Sequence, residues 1–265
     1  MPHLEREGVS IFFEESGAGK PLVLGHSFLC DGAMWAPQLG PLAARARIVN
    51  VDLRGHGRSG AVRHPFTLYD AVDDVLAVLD HVGIERAVWA GLSIGGMVAL
   101  RAALRAPDRV AALILLDTDA GAERLVKKLR YRVLSLGAGL FGMRPFLPAI
   151  LPLMFGRTTL RANAPLVEDW RSRFASVDVP SIRVVLEGLL GRDSVLDQLA
   201  RIRVPALVLT GEEDKAIPSA LTAEIAARLP DAALVRIPGA GHLSTLEQPE
   251  AVTEAMLGFM DRLAR

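Results

Sequence analysis

Residues 87–96, Ala87-Val88-Trp89-Ala90-Gly91-Leu92-Ser93-Ile94-Gly95-Gly96, pass from a short apolar run through a glycine-flanked serine into a longer apolar stretch. Ala87 to Ala90 have the unbroken apolar character of a strand buried on both faces. From Ser93 to Ala106 the chain is apolar nearly all round until Arg101 and Arg105, as a buried central helix is, and Pro107 stops it. Ser93 therefore sits on a strand-to-helix turn. A serine held on so sharp a bend leaves no room for side chains two positions to either side, and Gly91 and Gly95 stand there. Such a turn presents the serine hydroxyl outward and sets the Ile94 backbone N–H at the positive end of the helix dipole, facing any oxyanion formed there. A tight turn with Ser93 as an ordinary N-cap is the plainer reading of the same string.

Outward from this turn, short apolar runs alternate with stretches of helical period. The class is α/β, a sheet covered by helices on both faces. Strands are predicted at Val9–Phe13, Pro21–Leu24, Arg47–Val51, Ala87–Ala90, Ala111–Leu116, Ala206–Thr210 and Leu234–Ile237. From Thr67 to His81, Leu68, Ala71, Val72, Val75, Leu76, Val78 and Leu79 form one stripe, with Thr67 as N-cap. Ser219–Leu229 and Glu250–Leu263 are the last two helices, entered from Pro218 and Pro249. Between Asp117 and Pro205 no strand signal appears, a gap far longer than ordinary connections. The expected division is a core of residues 1–118 and 196–265 with a helical cap over 119–195. Within the cap, Val133–Gly156 carries only Arg144 as a charge, but Pro145, Pro148 and Pro152 interrupt any continuous helix, so a buried or substrate-facing lid is expected, with no stable membrane insertion.

Composition narrows the function. With 51% hydrophobic and 23% charged residues, the 265-residue chain is neither disordered nor fibrous. Thirty Lys and Arg balance thirty Asp and Glu, so no global field draws nucleic acid or an anionic membrane, and the expected partner is a small molecule. The lone Cys30 forms no internal disulfide and no zinc cluster, and Met1 to Glu7 lack the pattern of a secretory signal. A cytoplasmic protein, monomeric or a homodimer, is expected, with no cofactor and no metal.

A serine hydroxyl attacks only when a base takes its proton and an acid orients that base. His242, in Pro238-Gly239-Ala240-Gly241-His242 between the last strand and the last helix, is the expected base. His3, His64 and His81 read as solvent-facing. Asp214, in Gly211-Glu212-Glu213-Asp214 at the carboxyl end of the penultimate strand, is the expected acid, with Asp117 and Asp119 as competitors at the same sheet edge. Glu212 and Glu213 read as loop residues.

These motifs, with Asp52-Leu53-Arg54-Gly55-His56-Gly57-Arg58-Ser59, resemble the α/β-hydrolase superfamily over nearly the whole chain. The resemblance implies an eight-stranded, mostly parallel sheet, and structural roles for Asp52 and His56. It also implies an oxyanion loop at His26-Ser27-Phe28, with the Phe28 and Ile94 N–H groups as donors. Ser27 stands where the family usually has glycine, which adds a hydroxyl beside the hole, and it is similar in this to the bacterial 3-oxoadipate enol-lactonases and small esterases. Trp89 and Trp35 read as packing. Ser27, Trp170, Leu140 and Phe146 are expected to meet substrate, while Met97 and Met143 read either way.

The expected activity is a carboxylesterase working through an acyl-enzyme. Enol-lactone hydrolysis and cofactor-free peroxide-dependent acyl transfer use the same triad. Haloalkane dehalogenases and epoxide hydrolases need an aspartate where Ser93 stands. A small-molecule receptor is the alternative from another class, though a receptor has no need of Ser93, Asp214 and His242 together.

Overall fold

The structure, a computed structural model, describes residues 2–263. Eight strands, β1 (His3–Arg6), β2 (Val9–Ser16), β3 (Lys20–Gly25), β4 (Ala46–Val51), β5 (Ala87–Leu92), β6 (Val110–Leu116), β7 (Ala206–Gly211) and β8 (Ala232–Ile237), form one sheet in the order β1-β2-β4-β3-β5-β6-β7-β8. Pairing is antiparallel from β1 to β2 and from β2 to β4, and parallel from there on.

Alternation along each strand sends successive side chains to opposite faces. Trp89 of β5 and Val23 of β3 pack against α2 (Leu68–His81) and α3 (Ile94–Arg105), whereas Val88, Ala90, Leu22 and Leu24 pack on the side of α1 (Ala36–Ala43). Because both faces are covered, β5 shows no polar position at all. Each buried Val or Leu there contributes about 1.5–3 kcal/mol. The N-cap expected at Thr67 is present: Thr67 N and Oγ1 both donate to the Asp70 carboxylate.

Before β6, two elements lie outside the sequence expectation. β1 is a half-exposed edge strand whose polar residues carry no apolar run. α1 contains Pro37 near its start and Pro41 inside, which hides it from a propensity reading.

Between β6 and β7 the chain forms α4 (Leu125–Phe141), α5 (Leu147–Met154), α6 (Arg157–Ala162), α7 (Ala164–Ala175) and α8 (Val179–Leu190). The oily segment does break, but before Pro145 and not at Pro148 or Pro152, which both lie in α5: α4 ends at Gly142, whose φ of +73° suits glycine. Gly137 and Gly139 do not end α4, and α5 tolerates Pro152, which in so short a helix gives up a single hydrogen bond. Among the described residues, no helix is long and apolar enough to cross a membrane. After β7 come α9 (Ser219–Arg228), α10 (Ser244–Glu247) and α11 (Pro249–Arg262), the last against the α1 face.

Candidate active site

Ser93 has φ +55° and ψ −115°, a left-handed conformation costly for any residue with a Cβ. The surroundings impose it. Ser93 N donates to Leu116 O at 2.9 Å, and Ser93 O accepts from Met97 N at 3.0 Å and Thr118 Oγ1 at 2.6 Å. A Cβ on Gly91 would lie 2.2 Å from the Gly95 carbonyl carbon, and one on Gly95 would lie 2.4 Å from Gly25 O. Both glycines are therefore required by close backbone approach. The side chain of Ser93 makes no capping hydrogen bond, so the ordinary N-cap reading fails.

Beside the turn runs the loop of His26, Ser27 and Phe28. His26 is fully buried. Its Nε2 accepts from Leu53 N at 2.8 Å and its Nδ1 donates to Ser27 O at 2.8 Å, which fixes one tautomer. Burial holds its pKa below the usual histidine value, so the ring is a neutral strut. Gly95 N donates to His26 O at 3.1 Å, joining this loop to the serine turn. The left-handed position falls at Leu29, with φ +66°, and not at Ser27, which explains why a serine is accommodated there. The Phe28 and Ile94 N–H groups donate to no acceptor among the described residues.

His242 and Asp214 come together as expected. His242 Nδ1 donates to Asp214 Oδ2 at 2.8 Å, and Asp214 Oδ1 accepts from Ala216 N at 2.8 Å and Ile217 N at 2.9 Å. The neutral ring then leaves Nε2 as an acceptor, which Ser27 Oγ approaches at 3.3 Å. Burial works against the imidazolium, but the Asp214 carboxylate, helped by Asp117 and Glu247, outweighs it and raises the His242 pKa. The competing acids are committed elsewhere. Asp117 accepts from Gly211 N at 2.6 Å and from Ser244 Oγ, and its pKa is pushed up by burial and by the nearby Asp214 charge. Asp119 holds Gly121 N and Arg192.

Ser27, Phe28, Ser93 and His242 open onto one cavity, with about 1040 Å³ of empty space counted out to its mouth. Its far wall is supplied by α4, α5 and α8 and is mainly apolar, including Leu134, Ile150 and Ile182. Phe146, Met97 and Met143 line it. Two expected contacts are corrected. Leu140 is 79% exposed, because the cavity takes the face of α4 bearing Tyr131, Leu134 and Ala138, and Leu140 lies on the opposite side. Trp170 is 3% exposed and absent from the lining, since α7 turns it inward against Phe174 at 5.8 Å between ring centroids.

His56 and Asp52 are structural. Asp52 accepts from Gly32 N at 2.7 Å and Arg58 N at 2.8 Å. His56 packs on Phe28 and His26, and burial lowers its pKa to about 3. One residue escaped the sequence reading: Glu247 accepts from Gly241 N at 2.9 Å, Leu243 N at 3.2 Å and Gly156 N at 2.8 Å, bracing both sides of His242. Its position five residues after His242 at a helix end is the only signal the chain offers. Among the described residues, no three His, Cys, Asp or Glu side chains gather as a metal-binding set.

Known proteins resemble this chain in sequence and fold. A candidate carbamate hydrolase of Azorhizobium caulinodans is 29% identical over 98% of both chains. A thermophilic esterase of Thermogutta terrifontis, solved with malate bound, is 30% identical with a TM-score of 0.93, covering 99% of this chain and 97% of that one. The enol-lactonase of Burkholderia xenovorans is 28% identical with a TM-score of 0.92, covering 98% and 100%. A family model described as the alpha/beta hydrolase fold matches residues 20–249. With that match spanning most of the sequence and the structural likeness running end to end, the chain belongs to the α/β-hydrolase family.

Proposed function

We propose that the protein is a serine hydrolase cleaving a small carboxylic ester through an acyl-enzyme. Ser93 Oγ attacks the carbonyl carbon as its proton passes to His242 Nε2, and Asp214 stabilises the imidazolium that forms. The Phe28 and Ile94 N–H groups hold the oxyanion. On collapse, His242 returns the proton to the leaving alkoxide; water then repeats the sequence on the acyl-Ser93 ester, releasing acid. The single observation carrying this reading is the His242–Asp214 bond of 2.8 Å at a cavity onto which the strained Ser93 also opens.

A fluorophosphonate probe tests it. Covalent labelling at Ser93 is expected, together with a loss of about 10³-fold or more in kcat/KM for short nitrophenyl esters in Ser93→Ala. Full ester hydrolysis by Ser93→Ala refutes it. An enol-lactone is the second reading, supported by the Ser27-Phe28 loop and by the likeness to the Burkholderia xenovorans enol-lactonase. A lactonase would turn over its lactone far faster than any member of a nitrophenyl series of increasing chain length.

A further inference from the structure

Three cationic side chains from the segment between β6 and β7 border the cavity: Lys127, Arg183 and Arg192. Two are already matched. Lys127 Nζ donates to Ala216 O at 2.8 Å and lies 3.6 Å from Glu123. Arg192 pairs with Asp119 at 3.1 Å and Glu123 at 3.3 Å.

Arg183 has neither kind of partner. Its Nε is buried without an acceptor, and no carboxylate lies within ion-pair range among the described residues. The acid one helical turn on, Glu187, bonds Arg132 instead, at 2.8 Å. A buried guanidinium nitrogen without an acceptor is unfavourable.

The facing helix nevertheless lies close against it. A Cβ on Gly139 would lie 2.6 Å from an Arg183 terminal nitrogen, so this glycine lets the guanidinium rest on the α4 backbone. Gly137 does the same for the ring of Phe146, another cavity residue, whose Cζ would be 2.5 Å from its Cβ. A mid-helix glycine destabilises by about 1 kcal/mol relative to alanine, so the α4 glycines are explained by the side chains they admit to the wall.

We propose that Arg183 binds a carboxylate of the substrate, so that this chain acts on esters or lactones bearing one free carboxylate remote from the scissile carbonyl. The Arg183 Nε is closed to a ligand, but the two terminal nitrogens bond no protein acceptor among the described residues and match a carboxylate with two parallel hydrogen bonds. The other two cations at the cavity are already paired, so one carboxylate finds an open partner at Arg183 and a second finds none. Arg183 stands in the wall shared by the cavity and the outer groove beside α8. The substrate class rests on the ester hydrolysis proposed above.

The test compares monomethyl glutarate with neutral methyl butyrate in the wild type, Arg183→Met and Arg183→Lys. Arg183→Met is expected to lose about 10- to 100-fold more kcat/KM on the half-ester than on the neutral ester, chiefly through KM. Arg183→Lys should recover part of that difference. Equal losses on both esters, as a mere strut between α4 and α8 would give, overturn the proposal, as does no loss on either. A second arm needs no turnover: Ser93→Ala protein is titrated calorimetrically with monomethyl glutarate, with and without Arg183→Met. At least tenfold weaker binding in the double variant supports the carboxylate site even if the wild type hydrolyses nothing, an outcome that sinks only the hydrolase reading. Neutral-ester hydrolysis with no dependence of half-ester binding on Arg183 does the reverse.

Discussion

Replacing Ser93 with glycine is expected to abolish turnover and stabilise the fold. The native φ of +55° with ψ −115° lies outside the regions open to a residue with a Cβ, and such a conformation costs of order 1–3 kcal/mol. Glycine adopts it freely, but its looser unfolded chain takes back about 0.5–1 kcal/mol. Loss of the hydroxyl sacrifices no capping bond, because Ser93 makes none. The net gain is about 1 kcal/mol, or about 2–4 °C in Tm for a chain of this size. Ser93→Ala is the control, since it removes the same oxygen and keeps the Cβ and its strain. Both variants would be melted by differential scanning calorimetry and unfolded in urea under one buffer. Ser93→Gly should exceed Ser93→Ala in both. A glycine variant no more stable than the alanine variant would refute the claim that the turn is strained by its surroundings and not by the hydroxyl.

Two further outcomes follow from the carboxylates around His242. The imidazole must be neutral to take the Ser93 proton, and its pKa is raised, so kcat/KM should fall as pH drops through a value above the usual 6.5 for histidine. Asp214→Asn removes the charge that favours the imidazolium; it should move this acid limb to lower pH and cut kcat by about 10⁴-fold, as steady-state pH profiles would show, whereas an unmoved limb would assign it to another group. Glu247→Ala leaves the N–H groups of Gly156, Gly241 and Leu243 without their acceptor, so thermal melts should show a loss of about 1–3 kcal/mol. The displaced His242 loop should lower kcat roughly 10- to 100-fold with KM little changed; full kcat in a destabilised variant would confine Glu247 to stability.

The legible parts of this molecule are those in which one local pattern carries a single physical demand. β5 and β6 read from sequence because burial on both faces removes every polar residue from them. The serine turn reads because a Cβ on Gly91 or Gly95 would collide with the neighbouring backbone. His242 and Asp214 read because they stand at strand ends on the same sheet edge. The rest depends on partners far along the chain. Leu140 and Ala138 are both apolar and two residues apart, and only the docking of α4 decides that one faces solvent and the other the cavity.

Charge is harder still to read, because a cation's meaning depends on whether an anion meets it. In sequence, Lys127, Arg183 and Arg192 are three basic residues of one segment. In space, Glu123 and Asp119 neutralise two of them, while the acid nearest the third in its own helix is taken by Arg132. The same accounting explains Glu247, an ordinary acid in the chain that becomes a triple acceptor only when the segments around Gly156 and Gly241 converge on it. A bound anion at Arg183 would complete a pairing the fold leaves open. On the proposed reading, selectivity lies in the side chains of the wall and the chemistry in the sheet-edge loops, so substitutions at Arg183 should change which ester is chosen without moving the acid limb assigned to His242.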